Sequence, residues 1–228
     1  MNARPALLAA LAASLLLLSA CAADFDLSGP GDVYIDEAGS RSDVQIMIRP
    51  ENRPMRPLTA VLVPFRVMQR VDEPQHLGRE LTRVLWQRWL QDKVFPALIF
   101  AEDAQWYTAE DAQPLAMVAN TDLIVGGEIT NIMFGGTQGE TIISLRLEIH
   151  DAATGTLVWS MAQTGQIAPG RTRDFVFFTQ HDRLPIAPVQ AIMNALAADM
   201  GKPVRHWNNV EETDETDKES GKPEESAL

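Results

Sequence analysis

Thr141-Ile142-Ile143-Ser144-Leu145-Arg146-Leu147-Glu148-Ile149-His150 decides the fold class of this chain. Ile143, Leu145, Leu147 and Ile149 alternate with Ser144, Arg146, Glu148 and His150. Alternation with a period of two predicts a half-buried antiparallel strand, apolar on one face and polar on the other. Asp151-Ala152-Ala153-Thr154-Gly155 turns it, and Thr156 to Met161 returns beside it.

Outward from this hairpin, Asp122 to Met133 reads as the preceding strand. Its paired Gly126 and Gly127 signal a bulge or a close backbone approach. Gly135-Gly136-Thr137-Gln138-Gly139 is a turn into the hairpin. Further upstream, Thr59 to Phe65 is a continuous apolar run, the pattern of a strand covered on both faces, and Pro64 ends its ladder. Asp72, Glu73 and Pro74 open a helix from His76 to Lys93, with Leu77, Leu81, Val84, Leu85 and Trp89 on one face. Gly78 weakens that helix. Phe95 to Ala101 is a second short strand. Thr108, with Asp111 three residues on, caps a helix running to about Asn120. Downstream, Gly165 to Asp182 reads as a long loop with an apolar patch, Phe175-Val176-Phe177-Phe178. A last helix spans Pro188 to Met200, stopped by Gly201 and Pro203. The order β-α-β-α-β-β-β-α predicts an α/β (α+β) domain over residues 59–204. It is a small mixed sheet with an antiparallel hairpin, packed by about three helices.

The amino terminus carries a different message. Arg4 precedes a run of Ala and Leu from Ala6 to Leu17, then Leu18-Ser19-Ala20-Cys21. A basic residue, a short apolar run and a small-residue cleavage site make an export signal. The run is shorter than the roughly 20 residues needed to span a bilayer. Leu18 to Cys21 resembles the bacterial lipobox, and Cys21 is the only cysteine in the chain. The resemblance implies residues 1–20 as a lipoprotein signal peptide and Cys21 as the lipid attachment site, with diacylglycerol and palmitate-type acyl chains. It also implies outer-membrane localisation facing the periplasm, because Ala22 rather than Asp follows the Cys. Several acyl chains on one residue anchor stably, at about 0.8 kcal/mol per buried CH₂. Residues 21–58 then form the lipidated Cys and its linker. Within them Val44 to Ile48 alternates as an edge strand or docked β-segment, and Pro50, Pro54 and Pro57 favour an extended connector. Residues 205–228 form an acidic tail expected to be disordered.

Composition narrows the function. Apolar residues make up 46% of 228, enough for a real core, and the net charge is −12. Nucleic acid is excluded as a partner, since it needs clustered Lys and Arg.

Three motifs resemble a family of periplasmic α/β domains. They are Val61-Leu62-Val63-Pro64-Phe65, Asn120 to Ile129 and the corner Asp151 to Ser160. The family includes peptidoglycan-synthase activator lipoproteins, the curli secretion lipoprotein, flagellar-basal-body envelope proteins and the amino-terminal domain of TolB. It implies a small mixed sheet used as a binding module without catalysis. The corner has its own physical logic: Gly155 can take a positive φ, Asp151 and Thr154 can bond turn amides, and Trp159 can bury.

Chemistry is sparse. His76, His150, His181 and His206 are scattered without metal-ligand spacing, so no metal and no cofactor is expected. The Gly135 to Gly139 run lacks the Lys-Ser/Thr of a phosphate loop. Trp86, Trp89, Trp106 and Tyr107 are either core or an aromatic shelf. Two partner-binding surfaces stand out. Arg79, Arg83 and Arg88 form a basic stripe on the first helix. Arg171, Arg173, Phe175, Phe177 and Phe178 combine the residue types enriched at interface hot spots. The expected function is a non-enzymatic accessory factor that binds another envelope protein, such as a peptidoglycan synthase or an envelope-spanning machine, with oligomerisation open. The alternatives are a subunit of an oligomeric secretion channel or an auxiliary lipoprotein of a lipid or solute transporter.

Overall fold

The computed structural model describes residues 32–36, 39–135, 139–170, 172–174, 179–183 and 185–209. Eleven strands and three helices are described. They are β1 (Asp32–Asp36), β2 (Ser40–Arg41), β3 (Gln45–Ile48), β4 (Ala60–Leu62), β5 (Arg66–Val67), α1 (Pro74–Gln91), β6 (Leu98–Phe100), α2 (Ala109–Ala119), β7 (Leu123–Met133), β8 (Thr141–Asp151), β9 (Leu157–Ile167), β10 (Thr172–Asp174), β11 (Thr179–Arg183) and α3 (Pro188–Asn208). The α/β class and the core order expected from the sequence are both present.

The main sheet runs β2-β9-β8-β7-β4-β6, with β3 also on β9 and β5 also on β7. β4 pairs parallel with β6 and β7, while β7, β8 and β9 form an antiparallel meander. The chain steps from β4 through α1 to β6, then back across β4 through α2 to β7. Right-handed crossovers taken in opposite directions put their helices on opposite faces. The core divides accordingly. Ala60, Leu62, Leu85, Trp89, Leu147, Ile149, Met193 and Leu196 belong to one cluster, under α1 and α3. Val61, Val63, Trp106, Ala112, Ala116 and Ile124 belong to the other, under α2. The unbroken apolar run of β4 is thus explained, because alternate residues serve the two clusters.

The alternation of β8 is realised with Ile143, Leu145, Leu147 and Ile149 buried and Arg146 exposed. The glycine pair on β7 marks close approach, while the bulge falls later, between Ile129 and Asn131. A Cβ on Gly126 would lie 2.0 Å from the Trp106 ring, and one on Gly127 would lie 2.3 Å from the Arg146 carbonyl oxygen. Gly126→Ala should cost about 2 kcal/mol through overpacking against a rigid indole. A urea titration checks this, and an unchanged midpoint would show that Trp106 moves aside freely.

The corner after β8 is built as expected. Asp151 Oδ1 accepts from the Ala153 and Thr154 amides at 3.1 and 2.8 Å, and Gly155 sits at φ 71°. The Thr108 hydroxyl accepts from the Asp111 amide at 3.2 Å, and Asn120 closes α2 in the left-handed region.

Two expectations need correction. The stretch from Gly165 to Asp182 is not one long loop: β9 continues to Ile167, and β10 and β11 join β1 in a separate three-stranded sheet. α3 does not stop at Gly201 and Pro203 but runs to Asn208, across the boundary drawn at residue 204. Val204 and Trp207 continue the buried stripe of Leu196 and Met200, and that burial outweighs the weak helix formers. A glycine at 201 also lets α3 approach Trp89, since a Cβ there would lie 2.9 Å from the indole nitrogen. Of the two readings open for Trp86, Trp89, Trp106 and Tyr107, the structure shows mainly core and no shared shelf. Trp89 and Trp106 are buried in different clusters, Trp86 is half-buried with its N–H bonded to the Leu98 carbonyl, and only Tyr107 is exposed.

Candidate protein-binding surface

β3 is the edge or docked segment expected within the linker, and it pairs antiparallel with β9. Three consecutive apolar residues on it stay exposed: Ile46 is 42% exposed, Met47 55% and Ile48 42%. The connector Arg49 to Arg53 then passes the last turn of α3. Together with Trp159, Pro203, His206 and Trp207 these residues line a groove of about 920 Å³. Its floor is an edge-to-face indole pair, Trp159 against Trp207, with ring centres 6.0 Å apart. Trp207 donates its N–H to the Asn52 carbonyl at 2.8 Å. Trp159 is 4% exposed, and its Nε1 has no hydrogen-bond partner among the described residues. Arg53 meets His206 at 2.7 Å on the rim, and Arg49 and Glu51 are exposed beside it.

The connector is pinned just past the groove, at Arg56, Leu58 and Thr59. Asn208 is fully buried and clamps Leu58, accepting its N–H at 2.8 Å and donating to its carbonyl at 3.0 Å. Asp122 accepts from both terminal nitrogens of Arg56, at 3.0 and 2.6 Å, and from the Thr59 amide at 2.9 Å. The Arg56 hydrogen bond, helped by Thr59, outweighs partial desolvation and holds the Asp122 carboxyl below its ordinary value. A native-state pKa below the unfolded value gives stability that is present above the unfolded pKa and lost as pH falls through the native one. The melting-temperature gap between the native chain and Asp122→Asn should therefore be constant above about pH 5 and shrink below about pH 4. A gap that widened with acid would contradict this assignment.

The predicted basic stripe on α1 is largely paired within the molecule. Arg83 bonds Glu80 and Glu102, and Arg88 meets Asp92 at 2.7 Å. Arg79 is half-buried and has no ion pair among the described residues. Cys21, Arg171, Phe175, Phe177 and Phe178 lie outside the described residues, as do residues 1–31 and the acidic segment 210–228. Arg173 falls on β10, where only the backbone is described. Among the described residues no group of three or more His, Cys, Asp or Glu converges as metal ligands. None of their helices is long and apolar enough to cross a membrane.

Sequence reasoning missed the groove. Its walls come from residues about 110 to 160 positions apart, and Trp207 lay beyond the expected end of the helix. The unbroken 3.6-residue repeat through Val204 and Trp207 was the available signal.

No protein-family model matches the chain, and no curated protein matches its sequence. Among solved structures, the PelC dodecamer from Paraburkholderia phytofirmans is similar at a TM-score of 0.52 and 15% identity, covering 73% of this chain and 98% of that one. Lipoprotein GNA1162 from Neisseria meningitidis matches at 0.33 and 15%, over 47% of this chain and 79% of that one. The LpoB C-terminal domain from Salmonella enterica matches at 0.27 and 12%, over 50% and 87%. The chain is thus similar in fold to nearly the whole of PelC, and solved bacterial lipoproteins stand among its further structural matches.

Proposed function

We propose that this protein is an outer-membrane lipoprotein, anchored through Cys21 and facing the periplasm, that works by binding rather than by catalysis. Its task is accessory: it supports another envelope protein, such as a peptidoglycan synthase or an envelope-spanning machine. The observation that carries this reading is the exposed apolar edge of β3 opening onto the Trp159–Trp207 groove. β3 pairs only with β9 among the described residues, and a free sheet edge offers a row of backbone donors and acceptors while the apolar side chains along it supply area. The edge lies within thirty residues of Cys21, so the tether and the binding surface are coupled in position. Arg79 and the Arg171 to Phe178 stretch are secondary contact candidates.

A second reading has one specific observation in its favour. PelC, matched over 98% of its chain, is described as a dodecamer. A ring of this protein is the form an oligomeric channel subunit would take. In-cell crosslinking and capture of the tagged native protein, run beside Cys21→Ala, separates the two. A dominant envelope protein that is lost with the anchor supports the accessory reading. Capture mainly of further copies in a high-mass ring replaces it with the second.

A further inference from the structure

At the far end of β7 the chain leaves large apolar side chains in water. Met133, the last residue of the strand, is 44% exposed, and Phe134 after it is 56% exposed. A pocket of about 570 Å³ lies between Phe134 and the start of α1, with Val71 and Leu77 as its apolar floor. Both are half-buried and pack on the main core, which fixes that floor. Gln69 ties the chain entering the pocket to the end of β7. Its amide nitrogen donates to Asn131 Oδ1 at 2.9 Å, and its carbonyl oxygen accepts the Ile132 N–H at 2.5 Å.

This surface is separate from the β3 groove. β3 meets β9 at Met161, which sits across from Leu147 on β8 and so from Gly127 on β7. Phe134 lies seven residues beyond Gly127, roughly 20 Å along the strand.

The lining sets the charge of the occupant. Besides His76, its polar residues are Asp72, Glu73 and Glu80, and no lysine or arginine lines it. Arg70, the nearest cation in sequence, is exposed and lies outside the lining. Glu80 is shared with Arg83. Asp72 and Glu73 are exposed, and their carboxylates make no hydrogen bond or ion pair among the described residues. Two unpaired carboxylates beside an apolar hollow repel an anionic lipid surface and favour a cation carried next to an apolar side chain.

We infer that the pocket between Phe134 and the start of α1 docks a basic segment of a partner protein. One apolar side chain of that segment enters against Val71, Leu77 and Phe134, while flanking lysines or arginines meet Asp72 and Glu73. This gives the accessory reading a second contact, independent of the β3 groove.

The test uses the full chain and a fluorescein-labelled probe peptide, Lys-Lys-Leu-Lys-Lys, with anisotropy as the readout. Two comparison peptides replace the Leu by Ser, or every Lys by Glu. Docking predicts that the Ser peptide binds about ten-fold more weakly. Phe134→Ser should weaken the first peptide by a similar factor, and so should Asp72→Asn combined with Glu73→Asn. Asn tolerates the left-handed φ of 47° that Glu73 holds, and melting temperatures check that every variant is folded. Asp43→Asn with Glu110→Gln removes the same charge from exposed positions outside the pocket and should leave the affinity unchanged. Equal weakening by both charge pairs would show diffuse attraction to an acidic protein and overturns the inference. So does binding of the Glu peptide, or binding indifferent to Phe134→Ser. A benzophenone side chain at position 134 reads the remaining occupants. Crosslinking to a second copy of the chain, or to phosphatidylcholine vesicles, in preference to the Lys-Leu peptide also overturns it. Any of these failures leaves the in-cell capture result, and so the accessory reading, untouched.

Discussion

Trp89→Ala should lower the stability of the domain by about 4 kcal/mol, the middle of the range for deleting a buried aromatic. Trp89 is fully buried between α1 and α3, packs on Phe95 at 5.8 Å and donates its N–H to the Ala197 carbonyl at 2.8 Å. The substitution opens a cavity and also removes the donor that α3 uses at mid-helix. For a domain of this size the melting temperature should fall by about 12 °C. Calorimetry of the two proteins checks it. A fall of only a degree or two would mean that α1 and α3 close the space, and that their contact is not the rigid floor beneath the sheet.

Asn208→Leu is the second large effect, at about 3 kcal/mol. Leu keeps the branched outline of Asn, but its methyl groups are bulkier than the amide, so overpacking at this fully buried site adds to the cost. What is lost is the two-point amide clamp on Leu58, which leaves a backbone N–H and a carbonyl without their partner. The consequence reaches function, because Leu58 ends the connector that forms one wall of the groove. Hydrogen exchange at residues 49–58 should accelerate at least as strongly as in the rest of the chain. Exchange that rises everywhere except there would show that the clamp does not hold the connector.

The two substitutions also show what the sequence makes readable. Trp89 was legible as core, because it falls on the stripe of Leu81 and Leu85, and a 3.6-residue repeat reports burial directly. β8 was legible for the same reason at a period of two. Asn208 was not legible. Its role depends on meeting a backbone amide 150 positions away, and no local pattern encodes a partner at that distance. The Asp122 network with Arg56 and Thr59 was hidden likewise. β10 and β11 escaped because strands of three and five residues, without alternation, carry no periodic signal. The end of α3 was misplaced because Gly201 and Pro203 are local stop signals. The tertiary burial of Val204 and Trp207 overrides them.

The candidate site divides along the same line. The apolar alternation of Val44 to Ile48 placed a strand in the linker, and β3 is that strand. Its partner wall, Trp159 with Trp207, is assembled only by the fold. The arginines of α1 were conspicuous in composition, yet two of the three spend their charge on Glu80, Glu102 and Asp92. Charge along a helix shows which residues are present and leaves open which of them face a neighbour.

A binding role needs the domain held beside its partner, so the proposed anchor at Cys21 bears the most weight. Mass spectrometry of the amino-terminal peptide, taken from protein isolated with its membrane, tests it most directly. The expected mature chain starts at Cys21, carries a diacylglyceryl group and an acylated amine, and fractionates with the outer membrane. A chain that retains Met1, or begins elsewhere with Cys21 unmodified and in the soluble fraction, would contradict it.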